Sequence, residues 1–414
     1  MQLFMLLKEF IDDIRKHKTR AFLTTIAITW GTLAIILLMS FGSGLSFRMR
    51  EGMLNAGDRI IRIYSGQTTK KWQGLPVGRR ILLTEEDAHI LQQSIPMIQS
   101  VNPGIGRFIR LRNGDRTAST YMEGVYPVFE EMRRTYHARG GRFLNEKDLV
   151  ERKRVVFLGS VVANELFGKN APIGETVFID GLPFKIIGVM PKKMQTAMNQ
   201  GPDDRRAIIP FSTFKSIYGN RYLNELIVKP AQPLESPKVI SEVRRILARK
   251  YQFDPSDEHA IRIWDFIEAE KIGARVFKGI NIFLAVIGAM TLVIAGVGVA
   301  NIMYVVVKER TQEIGIKRAI GAKRRHIIFQ FIFESLLISL VGGGLGLLIA
   351  SAIIQLMWSI PAQDGAMQFL GRPLMSDSVV LVAISLLTLI GLLAGLFPAR
   401  KAASIDPVEA LRYE

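Results

Sequence analysis

Side chains capable of acid–base chemistry gather at four places in the 414-residue sequence: Glu85-Glu86-Asp87, Glu130-Glu131, Asp203-Asp204 and Asp257-Glu258. Paired carboxylates act as acid and base when their environments push their pKa values apart. Each of these groups is expected at a helix start, on a helix surface or in a loop, where acidic residues are ordinarily solvated, so none reads as a catalytic dyad. The five histidines (His17, His89, His137, His259 and His326) have no metal-ligand spacing, and the absence of cysteine excludes thiol catalysis, disulfides and Cys-ligated zinc. No G-x-S-x-G elbow occurs. Nor does a phosphate-cradling G-x-x-x-x-G-K-[ST], since the one Gly-Lys pair, Gly168-Lys169, is followed by Asn170. The glycine-rich runs at 42–44 and 342–346 lie in apolar stretches. No catalytic residue, metal ligand or nucleotide site is assigned to this chain.

The segment that stands out instead is VVVKERTQEIGIKRAIGAKRRH, from Val305 to His326. It combines charges with an apolar face, Ile314, Ile316 and Ile320, and leads on both sides into strongly apolar sequence. Gly315 and Gly321 permit close approach or a turn. An amphipathic element tied to two apolar segments suits a mechanical link to a soluble motor; a solvated basic loop is the plainer alternative.

The flanking elements follow from charge. No Asp, Glu, Lys or Arg occurs from Ala21 to Phe47, from Gly279 to Val307, from Ser335 to Gly371 apart from Asp364, or from Ser378 to Ala399. Each stretch supplies the roughly 20 apolar residues that cross a bilayer. The first is too long for a signal-peptide core and has no small-residue cleavage pattern. With 49% hydrophobic residues, a net charge of +17 points to a membrane protein rather than a nucleic-acid binder. The expected organisation is an amphipathic helix over 1–20, spans over 21–47, 279–307, 327–359 and 378–399, a connecting element over 308–326, an outer loop over 360–377 and a tail over 400–414. Five Lys/Arg precede the first span and seven lie in the 308–326 link, so the positive-inside bias puts both termini and that link in the cytoplasm. Residues 48–278 and the 360–377 loop then face outward.

Residues 48–278 read as mixed α/β. Alternation marks a strand at Arg59–Tyr64, Arg154–Leu158 reads as a buried strand and Glu225–Lys229 as another, and Asp180-Gly181 between Thr176–Ile179 and Phe184–Val189 signals a hairpin. Thr84 opens a capping box, and Ser236-Pro237 starts a helix. Val101–Asn145 differs in character, which suggests two subdomains. Pro191–Arg206 has no periodicity and is expected to be a mobile tip. Within the spans, Gly342-xxx-Gly346-xxx-Ala350 is a small-residue face for close helix packing, Asn301 is placed to hydrogen-bond across helices, and Glu334 is the sole ionisable side chain.

The runs NIMYVVVKERTQEIGIKRAIGAKRRHIIFQFIFES and GLFPARKAASIDPVEALRYE, with GGRFLNEKDLVERKRVVFLGSVVANELFGKNAPIGETVFIDGLPFKIIGVM earlier in the chain, closely resemble FtsX-like permeases of the MacB-type ABC transporter superfamily. The resemblance implies an α-helical membrane protein with four transmembrane helices and a large mixed α/β extracytoplasmic domain between the first and second, in a bacterial inner membrane. It implies a non-catalytic permease subunit that dimerises with a like or unlike copy and binds an ABC ATPase, which carries the ATP and Mg. A periplasmic adaptor and outer-membrane channel are further implied partners. Matched to the family's coupling element are Glu309, Arg310, Glu313, Ile314, Gly315, Arg318 and Gly321, with Arg310, Glu313 and Arg318 as polar contacts to the ATPase and Ile314 as the apolar one. Some relatives fuse the ATPase ahead of the permease; here a separate subunit is expected. Efflux of an antibiotic, peptide or other amphipathic molecule is the leading expectation. Lipoprotein or envelope-lipid release, and signalling to a cell-wall hydrolase without transport, are the alternatives.

Overall fold

The computed structural model describes residues 18–195, 200–360 and 371–406. The amphipathic segment before Lys18 and the last eight residues of the tail lie outside the described residues, as do 196–199 and 361–370. The chain divides into two compact units, one of residues 1–48 and 275–414 and the other of residues 49–274.

Among the described residues, four helices are long and apolar enough to cross a membrane: α1 (Lys18–Ala56), α8 (Phe266–Glu309), α10 (Arg324–Ser359) and α11 (Asp377–Ser404). α1 and α8 run well past the expected spans, because a charge-free run fixes where a helix meets lipid and not where it ends. Between α8 and α10 lies the short helix α9 (Thr311–Ala319).

Packing in this unit rests on missing side chains. A Cβ at Gly346 would sit 2.7 Å from the Thr29 carbonyl oxygen and 2.8 Å from Thr32 Cβ, and one at Gly342 would sit 2.9 Å from Ile28 Cβ. Ala350 is fully buried on the same face, so the small-residue stripe lets α10 lie against α1. Thr29 Oγ1 donates to the Gly342 carbonyl at 3.0 Å across this contact. Gly391 and Gly395 of α11 meet Ser339 and Ser335 of α10 in the same way, and Ser335 Oγ donates to the Gly391 carbonyl at 3.0 Å. Asn301 does not fulfil its expected role: its side chain is exposed on α8 and has no hydrogen-bond partner among the described residues.

The 49–274 unit is built on a ten-stranded sheet: β1 (Ile61–Gln67), β2 (Arg80–Ile81), β3 (Ile98–Asn113), β4 (Arg116–Val125), β5 (Val155–Gly159), β6 (Thr176–Ile179), β7 (Leu182–Met190), β8 (Arg206–Pro210), β9 (Glu225–Pro230) and β10 (Ile261–Asp265). The order is β10-β1-β9-β3-β4-β8-β5-β7-β6, with β2 on β1. The far end of β3 also meets β6, Leu111 opposite Ile179, closing β3, β4, β8, β5, β7 and β6 into a ring. The helices that cover it include α2 (Glu85–Ser94), α3 (Phe129–Met132), α4 (Glu146–Val150), α5 (Ser160–Phe167), α6 (Phe211–Tyr218) and α7 (Ser236–Tyr251). α7 buries Val239, Val243 and Leu247, one face at helical spacing, against this core.

β3 pairs with β9 through its first half and with β4 through its second, so Val101–Asn113 stitches the domain together. The described parts of the expected tip Pro191–Arg206, residues 191–195 and 200–206, are not free. Met194, Gln195, Asp203 and Arg206 are all buried, and Arg206 opens strand β8.

Candidate functional site

The first site is α9 and its attachments. Arg310 breaks the path of α8 (φ −94°, ψ 12°) and the chain turns into α9. At the other end Gly321 adopts φ +102°, with Ala322 N donating to the Lys317 carbonyl at 3.0 Å and Gly321 N to the Arg318 carbonyl at 3.1 Å. This pair of bonds is a Schellman ending, for which a left-handed glycine is suited. Gly321 thus terminates the helix, whereas Gly315 is buried within it.

One side of α9 is fastened to its neighbours. Ile314 is 3% exposed, in a core with Val306, Val307, Phe331, Ala399 and Ala403. Arg310 Nη1 lies 3.1 Å from Glu334 Oε1, with both side chains mostly buried, and Gln330 Nε2 donates to the same oxygen at 3.4 Å. Arg318 Nη1 donates to the carbonyls of Ala403 and Ile405 at 3.1 and 2.5 Å, placing a cation on the carbonyl-rich end of α11. Ile314, expected as the apolar contact for a partner, is therefore a core residue. Arg310 and Arg318 are likewise engaged inside the chain. The outward side carries Glu309, Gln312, Glu313, Ile316 and Ile320, and the two isoleucines are 44% and 83% exposed. The three isoleucines grouped as one apolar face in the sequence thus divide, Ile314 packing inside and Ile316 and Ile320 facing out.

A second cluster lies in the 49–274 unit and takes in Asp203, expected among the solvated acids. Arg62 makes a two-pronged pair with Glu225 (2.8 and 2.6 Å), and Arg206 Nη1 donates to Glu123 at 2.6 Å. Arg133 Nη2 and Lys193 Nζ approach the two oxygens of Asp203 at 2.7 and 2.8 Å. Burial alone would raise the Asp203 pKa, but Arg133, Lys193 and Arg206 outweigh it and hold the carboxyl below the usual range. Arg62 does the same for Glu225. Burial lowers the pKa of both Arg133 and Lys193, against the pull of Asp203.

This cluster grips the end of α1. Arg133 Nη1 donates to the Ala56 carbonyl, Lys193 Nζ donates to the Asn55 carbonyl at 3.1 Å, and Asn55 Nδ2 donates to the Met194 carbonyl at 3.0 Å. The final carbonyls of a helix lack intrahelical donors and carry partial negative charge, so two cations at this point bind the helix end to the sheet. Asp87 and Asp257 also depart from the expected solvated acids: both are buried, and Asp257 accepts from the backbone of Thr69, Lys70 and His259. Alternation in IRIY puts Arg62 and Tyr64 on the face opposite Ile61 and Ile63, but only the strand order brings Glu225 beside them.

Among the described residues no group of three or more His, Cys, Asp or Glu could hold a metal ion. The glycine runs at 42–44 and 342–346 are internal to α1 and α10, where the backbone amides are already bonded within the helix and cannot cradle phosphate.

Residues 21–246 match the MacB-like periplasmic core domain, and residues 285–407 match the FtsX-like permease C-terminal family. The chain belongs to the MacB/FtsX-like family of ABC transporter permeases. Its relatives include the macrolide export ATP-binding/permease protein MacB of Bdellovibrio bacteriovorus, 28% identical over 414 residues, an alignment spanning 99% of this chain and 61% of that protein. The chain thus spans about three fifths of the MacB relatives it matches. An uncharacterized ABC transporter permease, YknZ of Bacillus subtilis, is 28% identical over 417 residues and is covered from end to end. The crystal structure of the periplasmic region of MacB from Actinobacillus actinomycetemcomitans is similar over 54% of this permease and 95% of that structure, at 20% identity and a TM-score of 0.43.

Proposed function

We propose that this permease is the membrane subunit of an exporter, that its α9 faces the cytoplasm and docks a separate ABC ATPase, and that ATP-driven closure of the ATPase pair works the inserted domain through α1 and α8. The cargo in this reading is an antibiotic, peptide or other amphipathic molecule, and the working unit contains two permease copies. ATP and Mg belong to the ATPase, and no step of their chemistry falls on this chain.

The observation that supports the reading is the two-sidedness of α9. One side is fixed to the spans by Ile314, the Arg310–Glu334 pair and the Arg318 cap. The other exposes Gln312, Glu313, Ile316 and Ile320. A lever needs both: a surface for the motor and rigid attachment to what it moves. Glu334 supports passage outside the spans, because a buried carboxylate already paired with arginine is not free to line a polar path.

The test is co-purification in detergent with the ATPase encoded beside this chain, followed by ATP turnover with and without it. Ile316→Asp and Glu313→Lys should each reduce capture of the ATPase at least about tenfold while membrane insertion is unchanged. Capture and turnover equal to the wild type in both variants would remove α9 as the docking element.

A further inference from the structure

One face of the sheet in the 49–274 unit encloses a cavity of about 630 Å³ whose lining combines charge with aromatic surface, and nothing in the lever reading uses it. Its walls include Arg62, Tyr64, Tyr121, Glu225, Arg262 and Trp264. Registration explains why they meet: Arg62 is opposite Trp264, Tyr64 opposite Arg262, and Glu225 opposite Gly104. The floor is β3, and there the side chains are missing. A Cβ at Gly104 would stand 2.8 Å from Glu225 Cγ, and one at Gly106 would stand 2.5 Å from Tyr121 Oη. The glycines leave a trough into which Glu225 and Tyr121 lean.

The charges in this cavity are unequal in their freedom. Glu225 is occupied by Arg62, and Glu123 by Arg206. Arg262, at the rim on the edge strand β10, is exposed and has no hydrogen-bond or carboxylate partner among the described residues. Beside it Trp264 is 59% exposed and stacks at a tilt toward Phe266, ring centroids 6.3 Å apart. Burial, with Glu225 next, pushes the Tyr64 phenol up to about 12, so it stays a neutral hydrogen-bond donor. A free cation next to an open aromatic wall and a preformed trough suits a small molecule, the aromatic surface taking its apolar body and the cation fixing its orientation.

We propose that this cavity binds a carboxylate-bearing amphiphile, its carboxylate on Arg262 and its apolar body along Trp264, Tyr64 and Tyr121. The paired Arg62 and Glu225 give the trough no net charge of their own, so the selecting charge is Arg262. Guanidinium and carboxylate match in geometry as well as sign. The bound body would lie against Phe266, the first residue of α8, and beside the Arg62–Glu225 pair, so occupancy is felt at the root of a helix. That the bound molecule is the exported cargo rests on the exporter reading; that the cavity binds it does not.

The chemistry fits a fatty acid or an apolar peptide with a free C-terminus, and the experiment separates them. The full chain, in phosphatidylcholine nanodiscs and with no ATPase present, is labelled with 5-fluorotryptophan, and the Trp264 resonance is assigned by Trp264→Phe. The probes are dodecanoate, acetyl-Leu-Phe-Leu with a free carboxylate, and dodecyltrimethylammonium as the cation of matched chain length. The expected result is a saturable shift of the Trp264 signal with dodecanoate or the peptide, none with the ammonium, and constant signals from Trp30, Trp72 and Trp358. Arg262→Gln, on an exposed edge strand where folding is undisturbed, should weaken the response at least about tenfold. Equal response to the ammonium, no response to either carboxylate, or wild-type binding by Arg262→Gln each overturns the proposal. Because no ATPase is present, failure here leaves the lever reading standing, and failure of ATPase capture leaves this site standing.

Discussion

Single residues in the inserted domain differ sharply in what they hold. Asp203 is 2% exposed and neutralises cations from three parts of the chain, Arg133, Lys193 and Arg206. Its neighbour Asp204 is only half-buried, and burial together with Asp203 raises its pKa. Removing one partner of a buried pair leaves uncompensated charge and costs about 3–5 kcal/mol, whereas trimming a partly exposed acid in an unfavourable field costs less than about 1 kcal/mol. Asp203→Ala should therefore lower the thermal unfolding temperature of the domain by many degrees, and Asp204→Ala should hardly move it. Scanning fluorimetry on the two variants decides the matter; equal effects would mean the cluster is not the fastening of the α1 end.

At the scale of elements, helix packing sorts the glycines of α10. Gly346 faces backbone of α1, with the Thr29 carbonyl oxygen 2.7 Å from any added Cβ, while Gly344 has nothing within 4 Å. Gly346→Val must push two helices apart, at roughly 1–3 kcal/mol for overpacking. Gly344→Ala meets no obstacle and gains up to about 1 kcal/mol of helix propensity. In detergent the first should lower the melting temperature and the second hold or raise it. This contrast also marks how far sequence reaches. The spans were legible because lipid demands uninterrupted apolar length, and Gly342-xxx-Gly346-xxx-Ala350 was legible because spacing by four is a local property. The Asp180-Gly181 hairpin was legible for the same reason: its turn needs positive φ, and both residues have it. β3 was not, since Pro103, Gly104 and Gly106 break the pattern of a strand and yet sit in one that pairs on both sides. How α9 divides was also hidden, because spacing groups Ile314 with Ile316 and Ile320 while only Ile314 packs against the spans. The buried ion cluster was invisible for a stronger reason: Arg62, Arg133, Asp203 and Glu225 are far apart in sequence and meet only through the order of the strands.

At the scale of the whole molecule, the two units have separate cores. The clusters around the sheet draw only on residues between Ala56 and Phe266, so a fragment of residues 49–274 should fold as a soluble protein. Its acid response follows from the cluster. Asp203 and Glu225 are held below the ordinary carboxylate range in the folded state, while in the unfolded chain they titrate near about 3.9 and 4.3. At a pH between the folded and unfolded values, the unfolded chain has taken up protons that the folded one refuses. Stability is then complete above the unfolded values and drains away as pH falls through them toward the folded ones. The fragment's melting temperature should be level from about pH 7 to about pH 5 and fall steeply below about pH 4. Asp203→Asn should start lower at neutral pH and lose less on acidification, since one of the two protons no longer has to be bound. A melting temperature that stays level to about pH 3, or an Asp203→Asn curve parallel to the wild type, would show that these carboxylates do not govern the domain's stability.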